Sequence, residues 1–128
     1  MADISVSRGV VLSDINNDGY LDVVKRDQGG PAKLYLSRCG DDSWTRIRLA
    51  SPSSNTFGAG ARIQVVAGDR TWARWIEAGS SAFSMQPLEA HFGLGDIDRL
   101  VVTWPDGVVS ELTDVPVRSR LRVVRSDA

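Results

Sequence analysis

Along the 128 residues, apolar positions fall in short runs rich in Val, Ile, Leu and Trp, each closed by Gly, Asp, Pro or Ser. Apolar positions at helical spacing are scarce, so the pattern predicts strand after strand. The expected strands are Gly9–Ser13, Leu21–Lys25, Lys33–Ser37, Thr45–Ala50, Ala61–Ala67, Thr71–Glu77, Glu89–Phe92, Arg99–Trp104, Val108–Leu112 and Arg120–Val124. The fold class this predicts is all-β, as an antiparallel β-sandwich or barrel-like domain.

Turn chemistry sets the connections. Gly68-Asp69 is suited to a hairpin joining Ile63-Val65 to Trp72-Arg74, and Pro105-Asp106-Gly107 to one joining Val101-Val102 to Val108-Val109. Ala50 to Gly60, carrying Ser51-Pro52-Ser53-Ser54-Asn55, reads as a boundary, which divides the chain into 1–50 and 51–128, expected to pack as one globule. A second long stretch, Ala78 to Pro87, exceeds what a hairpin needs and is the loop expected to carry function.

Composition narrows the partners. Fifteen basic and 16 acidic residues give a formal net charge of −1, which supplies no global field for nucleic acid or an anionic membrane. The acids are mostly Asp and the bases mostly Arg, a bias away from helix-favouring Glu and Lys. The lone Cys39 has no partner for a disulfide and no second Cys at metal-ligand spacing, so it is expected to be a bystander thiol. No apolar run approaches a membrane helix, and Met1-Ala2-Asp3 does not open a secretory signal; membrane insertion is not expected.

One segment carries metal chemistry. In Asp14-Ile15-Asn16-Asn17-Asp18-Gly19-Tyr20-Leu21-Asp22, oxygen-bearing side chains stand at positions one, three and five, Gly at six and a carboxylate at nine. A hard cation such as calcium wants six to eight oxygens, and a loop coiled around it turns alternate side chains inward while Gly allows the sharp turn. Asp14, Asn16, Asp18 and Asp22 would supply side chains and Tyr20 its backbone carbonyl. The loop is shorter than an EF-hand's and lies between strands, which excludes that motif. The alternative is an Asx-rich turn without metal, since Asn-Asp-Gly favours such a turn by itself.

With its flanks, Gly9-Val10-Val11-Leu12-Ser13-Asp14 through Asp22-Val23-Val24, this loop resembles the FG-GAP or VCBS-type repeat over residues 8 to 38. Downstream, Asn55-Thr56-Phe57-Gly58-Ala59-Gly60-Ala61-Arg62-Ile63, Ala78-Gly79-Ser80, His91-Phe92-Gly93-Leu94-Gly95 and Val102-Thr103-Trp104-Pro105-Asp106-Gly107 resemble the ASPIC/UnbV domain over residues 55 to 112. Such domains follow FG-GAP repeats in bacterial proteins and in the secreted cartilage acidic proteins. The resemblance implies an N-terminal unit like one β-propeller blade, a loop that binds calcium between blade strands, and an extracellular or cell-surface setting tied to adhesion or recognition. It implies no chemistry. A propeller needs several FG-GAP units and one is present, so the chain is expected either to be the C-terminal piece of a larger propeller protein or to pack its lone unit onto its second half or another subunit.

The remaining candidates read mainly as structure. His91 has no nucleophile motif or second His beside it, and Ser80, Ser81 and Ser84 lack the Gly-x-Ser-x-Gly elbow, so no enzyme is expected. Gly93-Leu94-Gly95-Asp96 precedes a strand and not a phosphate-cradling helix, Asp96-Ile97-Asp98 lacks further ligands for a cation, and Trp104 is expected to anchor a turn. Strand alternation puts Trp72 and Trp75 on opposite faces and groups Trp72 with Arg70 and Arg74, and Arg118 with Arg120 and Arg122. Were those two faces adjacent, aromatic and guanidinium groups could take an anionic sugar or a carboxylate-rich partner; the alternative is a solvated face. The expected function is thus a non-enzymatic β module with structural calcium that recognises a protein or carbohydrate partner, with Trp72, Arg74, Ser81 and Phe83 as ligand-binding candidates. The competing expectation is an assembly element, such as a homodimer formed through an exposed strand edge.

Overall fold

A computed structural model describes residues 5–38 and 43–126, and Cys39 lies outside them. The described residues contain ten strands and no helix: β1 Ser7–Ser13, β2 Asp22–Asp27, β3 Ala32–Tyr35, β4 Thr45–Ala50, β5 Arg62–Ala67, β6 Arg70–Trp75, β7 Ala90–Phe92, β8 Ile97–Thr103, β9 Val109–Val115 and β10 Ser119–Val124. Each of the ten expected strands is present, displaced by at most a few residues. The all-β class holds, with open sheets and no closed barrel.

The chain forms two compact units. The first holds β1–β3 together with the segment Gly79–Pro87, and the second holds β4–β10. β4 lies in the second unit, where it hydrogen-bonds to β7 and β10. Residues 79–87 leave the second unit between β6 and β7 to join the first.

In the second unit, β10-β4-β7 form one sheet and β6-β5-β8-β9 another. Both expected hairpins are present. Ala67 pairs with Arg70 across Gly68-Asp69, and Thr103 pairs with Val109 across the Pro105-Asp106-Gly107 turn. Trp104 anchors that second turn: it is buried, its carbonyl accepts from Gly107 N, and its indole Nε1 donates to Ser110 Oγ at 2.9 Å. One pairing departs from the antiparallel expectation. β10 runs parallel to β4 from Ser119↔Thr45 to Val124↔Ala50. The chain turns into β10 through Arg118, whose φ of 52° is left-handed and whose N–H donates to Trp44 O. No local pattern encodes a partner some seventy residues away.

The inward faces of the two sheets share one apolar cluster. Ile47 and Leu49 from β4 and Phe92 from β7 join Ile63, Val65, Leu100 and Val102 from β5 and β8, each no more than 2% exposed. Burying a side chain of this size stabilises by about 1.5–3 kcal/mol. Gly58 closes the edge of this layer. It has a φ of +65°, and a Cβ there would stand 2.9 Å from Leu49 Cδ1 and 3.2 Å from Trp104.

Gly58→Ala and Gly68→Ala separate conformation from packing. Gly68 also has a left-handed φ, +55°, but nothing lies within 4 Å of its missing Cβ. Urea unfolding is expected to show Gly68→Ala destabilised by about 1 kcal/mol and Gly58→Ala by about 2–4 kcal/mol, the excess being overpacking against Leu49. Equal losses would show that the close approach carries no weight.

Candidate functional site

In the first unit, β1-β2-β3 form an antiparallel sheet. The loop of residues 14–22 connects β1 to β2, with Ser13 and Asp22 as cross-strand partners at its base. Asp14 is 4% exposed and Asp22 fully buried. Asp22 Oδ2 accepts from Ile15 N at 2.8 Å and its Oδ1 from Ser37 N at 2.9 Å, so this carboxylate binds the loop to the residues after β3. Asp14 Oδ2 accepts from Gly19 N at 3.2 Å. Asn16 Oδ1 accepts from Asp18 N, Asp18 Oδ1 from Tyr20 N, and Asn16 Nδ2 donates to Asp18 Oδ2 at 2.7 Å. Asn17 and Gly19 supply the left-handed turns, at φ 65° and 95°.

Within the loop the side chains of Asp14, Asn16 and Asp18 accept from its own amides, as in an Asx-rich turn. Its donors are all oxygens apart from the Asn16 amide nitrogen, a set whose chemistry suits a hard cation. Two carboxylates buried in one loop favour such an ion, since burying negative charge is costly without compensation. Asn16 and Asp18 instead close on each other, and among the described residues no group of three or more His, Cys, Asp or Glu is gathered so as to hold a metal.

The segment Gly79–Pro87 docks on β1. Gln86 Oε1 accepts from Leu12 N at 2.8 Å, and Gln86 Nε2 and Ser84 Oγ both donate to Val10 O, at 3.1 and 3.0 Å. Gly9 makes the approach possible, because a Cβ there would meet Phe83 O at 3.1 Å and Ser84 Cβ at 3.3 Å. Phe83 itself is 68% exposed and Arg8 lies over its ring, while Ser81 is exposed. Strand alternation contained no sign of this contact. A third feature, Asp27, ties the three strands: Lys25 and Lys33 approach its carboxylate at 3.2 and 3.3 Å, and Ser7 Oγ donates to it at 3.0 Å.

Trp72 and Arg74 belong to the second unit, whereas Ser81 and Phe83 belong to the first. Val65↔Trp72 and Ile63↔Arg74 place the first pair on the core-facing side of β6. Trp72 is half-buried against the apolar cluster, and the Arg74 guanidinium lies 5.5 Å from the centre of the buried Phe92 ring. The opposite face presents Trp75, 56% exposed, with Arg62 stacked on it. The Arg120 and Arg122 positions alternate with Leu121 and Val123, so they face away from the core and do not share a face with Trp72.

These features define a non-helical, two-unit β module whose second unit has the developed core. The family described as ASPIC and UnbV matches residues 51–128, and the chain belongs to it. Cartilage acidic protein 1 of Xenopus tropicalis is 31% identical over 110 residues, covering 79% of this chain and 16% of that protein. Cartilage acidic protein 1 of Homo sapiens is 32% identical over 108 residues, covering 77% and 16%. The chain thus spans about a sixth of the length of these curated relatives.

Two expectations follow for the first unit. Gln86→Ala is expected to speed hydrogen exchange at the Leu12 amide while leaving β8 amides unchanged, and unchanged exchange at Leu12 would mean the docking carries no protection. Burial raises the Asp27 carboxyl, but hydrogen bonds from Lys25, Ser7, Ser5 and Lys33 outweigh it and hold the group below its ordinary 3.8. A pKa lowered by folding contributes stability that is present above the unfolded value and lost as pH falls through the folded one. Asp27→Asn is therefore expected to be less stable than wild type at pH 7 and to lose part of the wild type's further decline below about pH 3.8, read as melting temperature against pH.

Proposed function

We propose that the chain is a non-enzymatic β module for recognising a protein or glycan, stabilised by structural calcium, and that its first unit is an FG-GAP-type blade. The observation that carries this reading is the make-up of that unit. Among its described residues the buried side chains are those of Asp14, Asp22 and Asp27, and every apolar side chain is half-buried or exposed. Val10, Leu12, Val23 and Tyr35 share one face of the sheet, and Val11, Val24 and Leu34 the other. A three-stranded sheet that is apolar on both faces is marginal by itself and calls for cover on both, as a blade has between neighbouring blades. Preceding blades of a longer protein are the cover this reading favours.

Calcium at Asp14, Asn16, Asp18, Asp22 and the Tyr20 carbonyl would neutralise the buried carboxylates and take the place of the Asn16–Asp18 bond. An extracellular or cell-surface setting accords with the family resemblance and with the weak affinities of extracellular calcium modules. No helix among the described residues is long and apolar enough to cross a membrane. A second reading, an assembly element, is favoured by the position of β3: it lies at the edge of its sheet and offers a strand for pairing with a second copy.

Thermal unfolding in excess calcium, magnesium or chelator tests the metal. Calcium at a hundredfold excess over its dissociation constant is expected to stabilise wild type by about 2.7 kcal/mol, with no gain in Asp18→Ala. Absence of a calcium response in wild type would leave residues 14–22 as a hydrogen-bonded turn. Sedimentation at micromolar protein, showing monomer or dimer, decides between the blade and assembly readings.

A further inference from the structure

The outward face of the β10-β4-β7 sheet carries a feature that the calcium loop does not explain. In the parallel β10–β4 pair, Arg120 stands directly opposite Arg46, and Arg122 opposite Arg48. Like charges directly opposed across strands are destabilising. Strand geometry sets the two rows about 6.6 Å apart along the chain and the opposed positions about 4.8 Å apart across it. Arg46 and Arg48 share the buried Glu89 carboxylate, at 3.6 and 2.8 Å. Arg120 and Arg122 are exposed and make no ion pair among the described residues.

The four arginines line one pocket of about 350 Å3, with Thr56 and Phe57 on its wall. Phe57 is 58% exposed, a large aromatic surface left in water. The volume lies within the range of about 300–1,000 Å3 typical of small-ligand sites. Its chemistry is two-sided: guanidiniums whose planar forks match carboxylate and sulfate, and an aromatic wall that accepts an apolar face. A sugar ring, with an apolar C–H face and anionic groups on its rim, satisfies both, whereas an extended acidic peptide would use the strand edge and has no need of the aromatic wall.

We propose that this pocket binds a carboxylated or sulfated saccharide, with Arg120 and Arg122 taking the anionic groups, Arg46 and Arg48 adding field, and Phe57 stacking on the sugar ring. This rests on the recognition reading above and names its ligand class, but it is independent of calcium. An incoming anion relieves the opposed charges of the two arginine pairs, so binding and sheet stability are linked.

The test is calorimetric titration of the full chain with a sulfated uronate tetrasaccharide, a neutral glucose tetrasaccharide, inorganic sulfate and tetraglutamate. The sulfated saccharide is expected to bind one to one, more weakly as salt rises, and the neutral one not to bind. Arg120→Gln/Arg122→Gln is expected to lose about tenfold or more in affinity. Its melting temperature without saccharide should equal or exceed that of wild type, since an opposed charge pair is removed. Phe57→Ala is expected to weaken the saccharide about threefold or more while leaving inorganic sulfate unchanged, and this variant carries the test should the double variant fail to fold. Tetraglutamate binding as tightly as the saccharide and indifferent to Phe57→Ala would make this an acidic-peptide site and overturn the proposal. Absence of saccharide binding, or binding untouched by the arginine changes, would overturn it too. A calcium response without saccharide binding sinks this inference alone, and saccharide binding without a calcium response sinks only the metal.

Discussion

The second unit depends on the apolar layer in which Ile47 and Leu49 of β4 meet Ile63, Val65, Leu100 and Val102. β4 is the middle strand of its sheet: β10 pairs with it from Thr45 to Ala50 and β7 from Thr45 to Ile47, so its register is held by both together. Strand alternation then leaves no freedom: with Ile47 and Leu49 inward, Arg46 and Arg48 must face outward. A shift by one residue would drive guanidiniums into the core. The same constraint acts on β10, where Leu121 and Val123 turn inward and Arg120 and Arg122 outward. The core thereby sets the arginine pairs in register, and the cationic pocket is the other side of the packing that holds the sheet.

The first unit is organised differently. Its described interior is made of carboxylates bound to amides and lysines, with apolar side chains left half-buried or exposed on both faces of the sheet. Asp22 joins the loop of residues 14–22 to Ser37 after β3, and Asp27 joins β1, β2 and β3. Such interactions are directional but individually modest. Apolar burial, which supplies most stability in a domain of this size, is undeveloped here. The contrast is one of interiors: the second unit holds the apolar cluster, and the first holds its buried carboxylates. In the first, the docking of Gly79–Pro87 also lets Gln86 and Ser84 satisfy backbone groups of β1 that an edge strand would present to solvent.

Much of this organisation was legible in the residues themselves. Short apolar runs punctuated by Gly, Asp and Pro located all ten strands, and Gly68-Asp69 and Pro105-Asp106-Gly107 located two hairpins, because alternation and turn chemistry act within a few residues. The turns of residues 14–22 are local in the same sense: Asp14, Asn16 and Asp18 each accept from an amide two to five residues on. The ASPIC/UnbV resemblance agrees with the family match over residues 51–128. Tertiary structure alone decided the parallel approach of β10 to β4, the passage of Gly79–Pro87 over Gly9, and the inward turn of Trp72 that leaves Trp75 in solvent. It also brought Arg46 and Arg48 opposite Arg120 and Arg122. Partners so far apart in the chain are chosen by which faces bury together, and that choice is made by the whole set of strands and not by the neighbours of any one residue.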